Sequence, residues 1–351
     1  MSSWKNYQQK FKLRRVLRKA AIAVVAVMVI IIAAASIFLV QWWSGSVGVP
    51  HGSRQETPEL SEEQQINFLV AGRAYDGTKL SGLAVAGLSQ KEGILKILQI
   101  PVDTKIATLE GDYEVGTLLS VGSALNPPRP LDYLTESLEN YLAVPLDGVI
   151  IVAAPDLGAT PISGVAPILR LHQSAGSPLF WWWWVRNRMV WENQTQTNFS
   201  RSQFWGLAFD ARKIRKDKIE FANLTDRKGY EEIEVRDKIV QSLFTDLSVE
   251  QEKLTARVFN GTAFPGLASQ GARFLENLGI KVLVVDNFER TDVAQTQLIS
   301  NQAVRGGWGV QRLKQIFRVS EVMEAAASSD RAEVDVVIGE DWNCQLQFDR
   351  E

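Results

Sequence analysis

Cysteine and histidine are almost absent. One Cys, Cys344, and two His, His51 and His172, stand among 351 residues. A disulfide framework needs paired cysteines, and a Cys/His zinc cluster needs more ligands than these. A Ser-His-Asp triad would have to recruit one of the two histidines. A charge excess is missing too. The 38 Lys plus Arg and 40 Asp plus Glu leave a formal net charge of −2. A dedicated nucleic-acid binder carries a clear basic surplus, so no nucleic-acid partner is expected. With 46% hydrophobic and 22% charged residues the chain is not disordered as a whole. Its length suits roughly two to three domains.

What is present is a sharp asymmetry. Residues 1–19 hold Lys5, Lys10, Lys12, Arg14, Arg15, Arg18 and Lys19 and no acid. Ala20 to Val40 then run for 21 residues with Ser36 as the only polar side chain. A bilayer core takes about 20 apolar helical residues, and helix satisfies every backbone group of a single span. Trp42 and Trp43 follow where an aromatic belt belongs, and the basic flank predicts an N-terminus on the inside. A cleaved signal peptide is the competing explanation, but its apolar core is about 7–15 residues long. The expected plan is a cytoplasmic basic tail over 1–19, touching anionic lipid, and a transmembrane helix over 20–41. A polar linker over 42–65 follows, containing HGSRQETPELSEEQQ. Without its first 19 residues the chain has 31 basic and 40 acidic residues, a net −9. That places an acidic bulk outside the cytoplasm, held to the cell membrane by one span.

Beyond the linker, Ile66–Ala71, Leu83–Leu88 and Ile94–Ile100 have the character of strands. Leu131–Leu142 has apolar residues at helical spacing with Asp132 as a possible cap, and Val149–Ala153 is an apolar strand. Pro161–Leu171 and Ser200–Ile214 are helix candidates, the latter with Ser200 at its cap. Lys218–Leu224 alternates like a strand, and Glu231–Leu247 is read as one helix joining two halves. From Thr255 the pattern restarts. Ala256–Asn260 is a strand closing on Asn-Gly, Pro265–Leu278 a helix with Pro in its first turn, and Lys281–Asp286 a buried strand. Gln295–Ser300, Trp308–Phe317 and Val334–Ile338 add a strand, a helix and a strand, with a loop at Ala325–Asp330. This order is a small βαββαβ unit over 254–351, after a larger α/β unit over 66–250.

The run RVFNGTAFPGLASQGARFLENLGIKVLVVDN, followed by DVVIGEDW, resembles the C-terminal domain of LytR-type cell-envelope proteins. The likeness covers roughly 254–342. The stretch NFLVAG (67–72), QIPVDT (99–104), PLDGVIIVAA (145–154) and TNFS (197–200) is similar, more weakly, to the LytR-CpsA-Psr domain of bacterial envelope proteins. The resemblance implies an α/β/α sandwich with a mixed sheet. It also implies a phosphotransferase that moves polyprenyl-pyrophosphate-linked glycopolymers onto peptidoglycan. In that family, Arg residues grip the pyrophosphate and an Asp holds a metal ion.

The departures bear on chemistry. Counted back from QIPVDT, the family's first Arg falls on Lys79 and its Asp on Ser81, and the Arg of the second motif falls on Val102. Asp103 and Thr104 remain. Lysine supplies a point charge in place of a bidentate fork, and valine supplies none. Serine is no substitute for an anionic metal ligand. Electrostatic stabilisation dominates phosphoryl transfer, so a degenerate, non-catalytic copy is expected. No resident cofactor is expected; Mg²⁺ enters only if transferase activity survives. The weak catalytic candidates are then Lys79, Asp103 and Arg129, with Asp112 beside them.

Tryptophan is the other abundant feature. Phe180, Trp181, Trp182, Trp183 and Trp184 are consecutive, with Arg186, Arg188, Trp191 and Trp205 nearby. Consecutive residues cannot all face one core. Two explanations stand: a lipid- or membrane-contacting surface with its arginines at the interface, or a loop folded over the core with ordinary packing. GTAFPG (261–266) lacks the GK[ST] ending of a phosphate loop. Three functions fit these residues. The first is non-catalytic binding of envelope polymer, membrane lipid or a partner protein. The second is an active glycopolymer–peptidoglycan ligase with rearranged ligands. The third is a structural envelope protein using its C-terminal unit for contacts.

Overall fold

The computed structural model describes residues 65–73, 79–108, 110–153, 195–226, 228–324 and 332–342. The expected transmembrane helix and its basic tail lie outside the described residues. So do the helix at 161–171, the cluster Phe180–Trp184 with Arg186, Arg188 and Trp191, the loop at 325–330, and Cys344. Among the described residues no helix is long and apolar enough to cross a membrane.

The first unit is built on a six-stranded sheet ordered β7-β6-β1-β2-β3-β8. Its strands are β1 Gln65–Arg73, β2 Leu80–Ser89, β3 Ile94–Ile100, β6 Gly148–Ala153, β7 Thr195–Thr197 and β8 Ile219–Asn223. β1, β3, β6 and β8 run one way, while β2 and β7 run the other. The sheet is therefore mixed, as expected. β1 is buried almost throughout, which explains the apolar run Phe68–Gly72: a strand covered on both faces need not alternate.

Both faces carry a core. Leu69, Val85, Leu98 and Ile151 meet helices α1 (Leu118–Ala124), α2 (Pro130–Leu142) and α4 (Ile233–Phe244). Phe68, Val70, Ile97 and Ile150 meet Phe204, Trp205 and Leu207 of α3 (Arg201–Lys213) on the other side. Trp205 is thus a core residue. α3 starts with a capping box: Ser200 Oγ accepts the Gln203 N–H, and the Gln203 side chain accepts the Ser200 N–H.

The second unit has a five-stranded sheet ordered β10-β9-β13-β11-β12. These strands are β9 Thr255–Asn260, β10 Lys281–Asn287, β11 Gln297–Ser300, β12 Val322–Glu324 and β13 Val334–Ile338. Helices α6 (Leu267–Leu278) and α7 (Trp308–Phe317) contribute Leu275, Leu278, Val310 and Leu313 to the core over Ala256, Val258, Val334 and Val336. The α5 helix (Leu247–Glu252) joins the two units.

Five expectations need correction. Glu231–Leu247 is not one helix. Thr245 leaves the helical conformation, and Asp246 caps α5 by accepting the Ser248 N–H. Asp132 is not a cap: Arg129 holds that position, and Asp132 sits inside the first turn. Pro265 lies ahead of the helix, which Gly266 starts at φ 87°, a left-handed conformation that suits glycine. Lys281–Asp286 is not buried, because β10 is an edge strand with exposed side chains. The βαββαβ order gains β12 between α7 and β13. The pattern also gave no sign of the small hairpin β4 (Lys105–Thr108) and β5 (Gly111–Glu114), or of α1.

Candidate functional site

The residues singled out for chemistry gather by topology at one end of the first sheet. β1, β3 and β6 all finish there, and β2 begins there. Lys79 immediately precedes β2 and is exposed. Asp103 follows β3 in a turn and is exposed as well. The register Leu83↔Ile100 carries these two toward the same level. Arg129 stands at the amino end of α2, which runs back toward the start of β6, so it points to the same end of the unit. Asp112 lies exposed on β5, on the hairpin that follows Asp103.

Apolar and neutral groups stand among them, beside the charges of Glu110, Glu231 and Arg73. Val102 packs against the core, and its carbonyl accepts the Gly116 N–H at 2.7 Å. Ser81 Oγ and Thr104 Oγ1 are buried without hydrogen-bond partners. Buried hydroxyls of this kind are uncommon and call for an explanation. Tyr133 reaches the hairpin, donating to Glu110 Oε2 at 2.8 Å, and burial raises its phenol. Burial also pushes the Tyr230 phenol up, helped by Glu231, Tyr141 and Asp103. Among the described residues no group of three His, Cys, Asp or Glu side chains could hold a metal ion. The sequence pattern gives Arg73 no special weight, yet it ends β1 opposite Leu80, next to Lys79 in sequence. Its position just after the NFLVAG run is the one signal that could have found it.

The opposite end of the sheet is where the second unit docks. Arg312 of α7 forks onto Asp147, just before β6, at 2.6 and 2.9 Å. Both are nearly closed to solvent, at 3% and 8% exposure. Burial opposes the arginine's charge, but the Asp147 carboxylate outweighs it and raises its pKa. Asp147 also accepts the Asn67 N–H. Arg273 of α6 grips Asp237 of α4 at 2.8 Å by two nitrogens. Asn277 donates to the carbonyls of Leu142 and Ala143, and Gln270 to that of Asn140. Ala143 sits in the left-handed region at φ 50°, so side-chain donors from α6 satisfy the end of α2.

Comparison with known proteins adds the following. Residues 253–342 match the LytR C-terminal family model, described as LytR cell envelope-related transcriptional attenuator. That is about a quarter of the chain. No curated protein matches the chain. Among solved structures it is similar to "TagT bound to LIIa-WTA", with 13% identity and a TM-score of 0.39 over 56% of this chain and 99% of that one. It is similar to Bacillus subtilis TagV at 15% identity and a TM-score of 0.35, over 46% of this chain and 84% of that one. A third is the LytR-CPS2A-psr family protein YwtF (TagT) with bound octaprenyl pyrophosphate lipid. It shows 14% identity and a TM-score of 0.31, over 50% of this chain and 85% of that one. The recognition of a LytR-type C-terminal domain, with LytR-CpsA-Psr proteins as structural neighbours of the chain, holds.

Proposed function

We propose, from a chain that ends in a LytR-type C-terminal domain, that it is a membrane-anchored envelope protein that binds a polymer or lipid outside the cytoplasm without transferring it. The observation that carries this is Val102. At the position where the resemblance puts a pyrophosphate-gripping Arg, a half-buried apolar side chain packs against the core. A diphosphate needs charge-assisted, preferably bidentate, hydrogen bonds, and at the positions the resemblance matches this end of β2 and β3 offers Lys79, Ser81, Val102 and the carboxylate of Asp103, while Arg73 and Arg129 stand at the same end but outside the matched positions. The matched set suits the hydroxyl groups of a glycan better than a doubly charged diphosphate. One solved neighbour has bound octaprenyl pyrophosphate lipid, and another is bound to LIIa-WTA. A polymer or lipid ligand for this chain is in keeping with both.

The test uses the full chain in detergent with a polyprenyl-pyrophosphate-linked glycan and Mg²⁺. Expected are saturable binding of the glycan-bearing lipid and no release of the polyprenyl phosphate. Metal-dependent release that disappears in Asp103→Asn would overturn the proposal in favour of an active ligase.

A further inference from the structure

Among the described residues β10 is the outer strand of the second sheet and pairs on one side only, with β9. Its free edge presents unpaired backbone N–H and C=O groups, which sheet proteins normally blunt or cover. Here the edge carries Leu283, Val284 and Val285 at 38%, 40% and 45% exposure. They are three of the seven large apolar side chains that stand exposed among the described residues, and they are consecutive. The strand begins with exposed Lys281 and has exposed Asp286 next to its last residue, Asn287.

The register decides what this edge fits. Lys281 lies opposite Thr255, Val282 opposite Ala256, Val284 opposite Arg257 and Asp286 opposite Phe259. Leu283 is skipped, so it is a bulged residue. Lys281, Val284 and Asp286 therefore share one face of the sheet. With the bulged residue left out, Val284 stands midway between the lysine and the aspartate. A two-fold axis through Val284 then brings a second copy in antiparallel. It sets Lys281 of each copy against Asp286 of the other, Val282 against Val285, and Val284 against itself. A strand that is positive at its start and negative at its end is complementary to itself in this direction only.

We propose that β10 is a homodimerisation edge: two copies join antiparallel through it, making one continuous sheet from two five-stranded ones. Such an isologous contact closes on itself and consumes the β10 edge of both copies, so it does not itself propagate into fibres. The apolar triplet and two cross-strand charge pairs hold it, and like charges directly opposite would weaken it.

The test is the oligomeric state of the full chain in detergent, by light scattering with the detergent mass subtracted. The wild type is expected to be a dimer at micromolar concentration. Lys281→Glu alone and Asp286→Lys alone each set like charges opposite at both ends, and either should weaken the dimer about tenfold or more. The double swap restores it. So does an equimolar mixture of the two single variants, since one copy then carries two acids and the other two lysines. The mixture keeps the test independent of folding, because two misfolded variants would not rescue each other. A monomeric wild type overturns the proposal and leaves the edge to a foreign strand. A dimer indifferent to all four samples overturns it as well, because the contact then lies elsewhere.

Discussion

Arg312 and Asp147 hold opposite charges in a place that water scarcely reaches. Removing one partner of a buried pair leaves the other charge uncompensated, at about 3–5 kcal/mol. Asp147→Ala should therefore lose about that much stability in urea unfolding. Replacing both residues with apolar ones of similar size should cost clearly less. Asp246 is a second buried carboxylate, and burial raises its pKa against the pull of the Ser248 N–H, Arg312, and the Gln65 and Val249 N–H groups. A raised native value means that the folded state holds the proton more tightly. Its contribution to stability is complete below the ordinary aspartate range, about pH 4, and is lost as pH rises through the native value. Asp246→Asn should flatten that decline in unfolding free energy between acid and neutral pH. An unchanged slope would show that other groups set it.

Helix starts test how local instructions operate. Ser200→Ala removes one half of the capping box of α3 and should cost about 1 kcal/mol, read as a lower melting temperature. That cap was legible in the sequence because it rests on residues three apart. Pro101 after β3, Gly307 before α7 and Gly339 after β13 are local marks of the same kind. The break at Thr245 and Asp246 was not, because the apolar spacing runs on through it. KVLVVD illustrates a deeper limit. The same apolar run serves a central strand or an edge strand, and only the partner's position decides which. The hairpin at 105–114 is short and polar, with no period to detect. At the candidate site, Lys79 and Asp103 were legible through QIPVDT. Arg73 was not, since its place depends on the register between β1 and β2.

At the scale of the whole molecule, what matters is how the two units are joined. Asn277, Gln270, Arg273 and Arg312 all reach from the second unit into the first. Ala143, at the end of α2, belongs to the second unit's core. The described region should accordingly unfold in urea as a single transition, with fluorescence and far-ultraviolet circular dichroism superimposable. Asp147→Ala should move the whole curve rather than split it. Two separated transitions would mean that the units are coupled too weakly to share their stability.

The short helix α5 has its own consequence. Glu252 accepts the N–H groups of Trp308 and Gly309, capping a helix that begins more than fifty residues later, and Val249 sits in the second core. A fragment cut where the family match begins, at residue 253, would discard that cap and leave a hole beneath α7. A fragment that keeps both the cap and α5 whole has to begin seven residues earlier, at Asp246.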